Sequence, residues 1–173
     1  ADGVITTSAE KPDLTWSFPT GITGNYTVEF KYRLDAVGTD GTAKQEAFAL
    51  KMGSTTGQSN SQVYLSFTGA LEGASNQDRV KIQTAPGMTP KQFGTYGAWH
   101  KVKIVVDQTA KTYQLTVDGD LKVFTPSEGD PTTNIPLFNT AITELKTLFF
   151  DCDSVSNISL DYLRVYSGEA TEE

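Results

Sequence analysis

Between Trp99 and Gly119 the chain reads WHKVKIVVD, then QTAK, then TYQLTVDG, and no other stretch limits the possible folds so tightly. Val102, Ile104 and Val106 hold alternate positions, as do Tyr113, Leu115 and Val117, with mostly polar residues between them. Successive side chains of a strand point to opposite faces, so a period of two gives each half one apolar and one wet face. The QTAK link is short enough to close the halves into an antiparallel hairpin, and Asp118-Gly119 supplies a second turn into residues 121–124.

The same period recurs at Val28, Phe30, Tyr32 and Leu34, at Phe48 and Leu50, at Val63, Leu65 and Phe67, and at Val80 and Ile82. Residues 145–150 and 158–166 are β-rich, and 4–7 and 14–18 open the system. Trp16 has the parity of Leu14 and Phe18 and is expected to be buried with them. About ten or eleven strands separated by Gly, Pro, Ser, Thr and Asn clusters predict an all-β, two-sheet antiparallel β-sandwich or jelly roll. Two long connections, 85–98 and 125–142, interrupt the pattern, and loops of that length in a compact domain often carry function. Residues 1–167 are read as one sandwich domain and 168–173, ending in Thr171-Glu172-Glu173, as a tail or linker.

Charge and cysteine usage narrow the function. A formal charge of -7 argues against a nucleic-acid partner, because phosphate binding needs a basic face that releases counterions. No run approaches the roughly 20 apolar residues of a membrane span, so no membrane insertion is expected. Cys152 is the only cysteine, which excludes an intrachain disulfide, and His100 is the only histidine. The start Ala1-Asp2-Gly3 has no signal-peptide character, so in an exported protein the signal is expected to have been removed already or to lie upstream in a longer parent.

The hairpin WHKVKIVVD…YQLTVDG resembles that of the concanavalin A-like lectin/glucanase superfamily, above all its laminin-G-like and bacterial carbohydrate-binding members. The segment ISLDYLRVY, Ile158 to Tyr166, is similar to the closing strand of such modules. The resemblance implies a jelly roll with one concave sheet, an extracellular or bacterial cell-surface setting and glycan binding. The same superfamily holds glycoside hydrolases and lyases, but its Glu-x-Asp-x-x-Glu and Glu-x-Asp-x-Glu signatures are absent here. Retaining hydrolysis needs two carboxyl groups about 5 to 5.5 Å apart, and the nearest same-face pair is Asp151 and Asp153. A lyase base is wanting too, since the parity of His100 with Val102 and Ile104 points it inward.

Binding fits the pattern better. The outward positions Glu29, Lys31, Arg33, Gln62, Tyr64, Arg79 and Lys81 offer long polar side chains, with Tyr64 as an aromatic platform for a sugar ring. Phe93 and Tyr96, in the 85–98 connection, form a second candidate patch. An ordinary solvated face with cross-strand charge pairs is the alternative for the first group, and a cap on the core for the second. Modules resembling this one often hold a structural calcium near the junction of first and last strands. By that resemblance Asp161 is the closing-strand acid, with Asp2 or Glu10 approaching it. Asp151 with Asp153, or Asp118-Gly119-Asp120, gives a D-x-D alternative, calcium favouring clustered carboxylate and carbonyl oxygens. The expectation is a non-catalytic module binding a polysaccharide or glycan within a larger multidomain parent. A structural or adhesive spacer, and a small polysaccharide-processing enzyme, are the alternatives.

Overall fold

The computed structural model describes residues 5–7, 13–36, 48–68, 79–82, 91–92, 97–152 and 157–168. Among the described residues thirteen strands follow in order: β1 (Ile5–Thr7), β2 (Leu14–Thr23), β3 (Tyr26–Ala36), β4 (Phe48–Gly53), β5 (Ser61–Thr68), β6 (Arg79–Ile82), β7 (Lys91–Gln92), β8 (His100–Asp107), β9 (Thr112–Val117), β10 (Asp120–Leu121), β11 (Ile135–Pro136), β12 (Glu144–Cys152) and β13 (Asn157–Ser167). They form two antiparallel sheets. One runs β1-β13-β3-β8-β9-β10, with β11 also pairing β9; the other runs β2-β12-β4-β5-β6-β7. The all-β sandwich read from the sequence is the observed fold.

The hairpin behaves as its period requires. β8 alternates buried and half-buried along its whole length, and its register sets Val102 opposite Val117, Ile104 opposite Leu115 and Val106 opposite Tyr113. Asp118 and Gly119 both take positive φ, 54° and 86°, the left-handed pair that a tight two-residue hairpin turn demands. His100 faces inward as expected: it is buried, its ring lies 5.5 Å from that of Tyr32, and its Nδ1 is 2.7 Å from Asp118 Oδ2.

The core lies between the sheets. Phe30, Tyr32 and Leu34 from the seven-stranded sheet meet Phe48, Leu50, Phe67 and Phe150 from the other. Phe48 and Phe67 stack at 4.2 Å, while Phe30 meets Phe150 edge-on at 5.3 Å. Offset-stacked and edge-on pairs are the arrangements that the ring quadrupole favours. Among the described residues no helix is long and apolar enough to cross a membrane.

Candidate functional site

Among the described residues, the sequence-predicted binding residues fall into two sets on different sheets. Glu29, Lys31 and Arg33 lie on β3 in the seven-stranded sheet, whereas Gln62 and Tyr64 lie on β5 in the six-stranded sheet. Outward faces of two stacked sheets point in opposite directions, so no single platform can hold both sets. Arg79 and Lys81 have their backbones on β6, opposite Thr68 and Ser66, and their side chains lie outside the described residues, as do Phe93, Tyr96, Asp2, Glu10 and Asp153.

Gln62 is a core residue. On β4 Met52 and Gly53 are adjacent, but their partners on β5 are Val63 and Ser61, so Gln62 is the extra residue of a bulge. It is fully buried; its Oε1 accepts from Tyr26 Oη at 2.6 Å, and its Nε2 donates to the Ile142 carbonyl at 2.7 Å. Tyr64 keeps its outward parity but is only 7% exposed, with Phe138 6.2 Å away, so it offers no open platform. The segment before β12 covers this face, anchored by Phe138 N donating to the Gln62 carbonyl and Asn139 Nδ2 to the Ser59 carbonyl. Beside it Lys51 Nζ sits 2.6 Å from Asp151 Oδ2 and 5.3 Å from the Phe149 ring. That lysine is already satisfied by a carboxylate and an aromatic face.

The carboxylates do not make the expected cation site among the described residues. Asp151 lies on β12 and Asp161 on β13, in different sheets, and Asp151 is paired with Lys51. Asp161 Oδ1 accepts from Tyr162 N at 2.9 Å. Asp118 is engaged by His100 Nδ1 and the Lys101 amide, and Asp120 approaches Lys122 at 3.6 Å. No group of three or more His, Cys, Asp or Glu side chains that could hold an ion occurs among the described residues. Asp118, Asp120, Asp151 and Asp161 do not converge on one point as the six to eight oxygens around a calcium do, and Asp2, Glu10 and Asp153 lie outside the described residues.

A site that the sequence did not show opens where the sheets part. β2 is an edge strand of the six-stranded sheet, and β13 lies one strand from the edge of the other. Between them is a cleft of about 420 Å³ lined by Leu14, Trp16, Phe150, Leu160, Tyr162 and Arg164, with Phe30 also contributing. Trp16 is 55% exposed. Its parity is inward, opposite Leu148 on β12, but an edge strand has a covering neighbour on one side only. The ring therefore projects past the core to the mouth of the cleft, against the expectation of burial.

The opposite rim is shaped by a second bulge. β13 pairs Asp161 with Lys31 and Leu163 with Phe30, which leaves Tyr162 as the unmatched residue, with φ at 21°. The Tyr162 ring lies between two cations, 5.6 Å from Lys31 Nζ and 5.1 Å from Arg164 Cζ. Partial burial, with the Glu29 carboxylate adding to it, raises the Tyr162 hydroxyl above its ordinary pKa, so it stays a neutral donor. Further along the outer face Arg33 stands 5.0 Å over the Trp99 ring, which is 36% exposed. Apolar floor, exposed tryptophan and polar rim together suit a ligand with one apolar face and several hydroxyls.

The fold has known counterparts. The carbohydrate recognition domain of Emp46p, in its metal-free form, superposes with a TM-score of 0.58 at 10% identity, over 98% of this chain and 88% of that one. A point variant of human galectin-16 gives 0.53 at 14% identity over 94% of this chain and all of the galectin. The binding domain of botulinum neurotoxin serotype G gives 0.55 at 12% identity over 98% of this chain; the chain spans 42% of that structure and 15% of a sialidase with a similar domain. The likeness shows a lectin-like jelly-roll fold. No family model matches the sequence, and no curated protein does.

Proposed function

We infer that the protein is a non-catalytic glycan-binding module, taking an extracellular polysaccharide or oligosaccharide at the cleft between β2 and β13. The observation that carries this reading is Trp16, exposed above an apolar cleft whose rim bears Tyr162 and Arg164. The indole would stack on the apolar face of a pyranose while the phenol and guanidinium hydrogen-bond its hydroxyls. The lectin-like fold supports the reading, since recognition domains and galectins are built on it. So does the chemistry of the remaining polar groups: His100 is buried against Tyr32 and Asp118, and Asp151 is neutralised by Lys51.

A single shallow site gives weak affinity, and gain comes through several sites acting together. That fits a module within a larger secreted or cell-surface parent, as does the partial coverage of the toxin and sialidase chains. Pulldown on a panel of soluble and insoluble polysaccharides, with and without chelator, tests the reading. Retention that Trp16→Ala weakens is expected, unchanged by chelator; no retention on any polysaccharide refutes it and leaves a structural spacer.

A further inference from the structure

The outer face of the seven-stranded sheet carries an unusual charge arrangement for so acidic a chain. The β3–β8 register sets Lys31 directly opposite Lys101, and Glu29 opposite Lys103. On the other side of β3, Asp161 lies opposite Lys31 and Arg164 opposite Glu29. Like charges directly opposite on neighbouring strands destabilise a sheet, and strands lie about 4.8 Å apart.

The carboxylates of the same rows relieve it only in part. The Glu29 side chain is largely buried, and its Oε2 is 4.0 Å from Lys101 Nζ, the outer limit of an ion pair. Asp161 gives one oxygen to the Tyr162 amide. One of the three cations reaches the cleft: Arg164 lines it, together with Asp161. Tyr162 stands between Arg164 and Lys31, and Lys101 lies on the strand beyond Lys31, so the row of cations leads away from the cleft across the outer face.

We propose that the glycan is acidic and that its carboxylate or sulfate groups seat on this face, at Lys31, Lys101 and Arg164, while a neighbouring sugar stacks on Trp16. The proposal rests on the glycan-binding reading above. An anion between Lys31 and Lys101 removes their repulsion, and charge-assisted hydrogen bonds to it are the stronger kind. A polysaccharide with about one charge per sugar suits a local patch better than a duplex does, because a long, densely charged duplex brings phosphates close to the acidic remainder of the chain, where repulsion within a Debye length of about 10 Å is unscreened.

The test compares polygalacturonic acid, dextran sulfate, unsubstituted dextran and double-stranded DNA by affinity electrophoresis at several salt concentrations. The wild type is expected to prefer one or both acidic polysaccharides over dextran, with affinity falling as salt rises. Preference for polygalacturonic acid assigns carboxylate, and preference for dextran sulfate assigns sulfate. Lys31→Gln/Lys101→Gln, which keeps most of each side-chain stem, should weaken acidic binding on the order of tenfold and flatten the salt dependence. Its melting temperature should be unchanged or raised, and Arg164→Gln should move affinity in the same direction. Equal binding of acidic and neutral polymers, or a double variant that binds acidic polymer as the wild type does, overturns the acidic assignment. The glycan-binding reading then still stands if Trp16→Ala lowers retention, and it falls only when no polysaccharide binds. Binding of DNA as tight as that of the acidic polysaccharides also overturns the proposal.

Discussion

Replacing Gln62 by alanine separates a core residue from a ligand-binding one. Two bonds go with the side chain: the one from Tyr26 Oη at 2.6 Å and the one to the Ile142 carbonyl at 2.7 Å. Tyr26 is fully buried, and burial pushes its hydroxyl far above the ordinary phenol pKa, so the orphaned group has no ionised state to escape into. Leaving such a donor without a partner costs about 1–3 kcal/mol, and the half-buried Ile142 carbonyl adds about 1. The sum is about 3 kcal/mol, which for a chain of this size lowers the melting temperature by roughly 6–12 °C. Thermal and urea unfolding measure the loss, and polysaccharide affinity at 25 °C should match the wild type. Tyr26→Phe, which removes one bond of the two, should give a smaller loss in the same direction. A Gln62→Ala protein with unchanged melting temperature and lost affinity would refute the bulge argument and return Gln62 to the binding surface.

The Tyr113 hydroxyl is buried without a hydrogen-bond partner, so Tyr113→Phe should hold or raise the unfolding free energy by about 1 kcal/mol; a loss as large as that of Tyr26→Phe would contradict it. Tyr64→Ala should destabilise by about 3 kcal/mol with affinity retained, the reverse of what an exposed platform residue would do. Burial, reinforced by the charges of Asp13 and Asp151, pushes the Cys152 thiol up to about 12. The folded thiol is therefore neutral at pH 8, and its contribution to stability is intact below the unfolded pKa near 9 and lost as pH rises toward 12. Native Cys152 should resist iodoacetamide at pH 8 and react once unfolded; rapid native labelling would disprove the burial.

The architecture was legible because it rests on local alternation. The β8–β9 hairpin, its Asp118-Gly119 turn and the inward His100 all follow from parity and turn chemistry, which depend on neighbours in sequence. Two short strands, β7 and β11, carry too few residues to show a period. The site was not legible, since it depends on which strands lie at edges and where register slips. Trp16 has the parity of a core residue and is exposed only because β2 ends its sheet. Gln62 has outward parity and is buried only because a bulge turns it. One signal was present: in LDYLRV the apolar spacing from Leu160 to Leu163 is three, breaking the period of two where the Tyr162 bulge occurs.

The central claim is that the cleft beneath Trp16 binds a glycan, and titration of the Trp16 environment tests it most directly. Trp16 and Trp99 are the only tryptophans, so Trp99→Phe leaves the cleft indole as the sole tryptophan reporter. Addition of a retained polysaccharide should shift that emission to the blue and protect it from acrylamide quenching, with Trp16→Ala weakening retention while the melting temperature stays within a few degrees. Retention undiminished by Trp16→Ala, with emission unchanged by the polysaccharide, would place the ligand elsewhere and contradict the account.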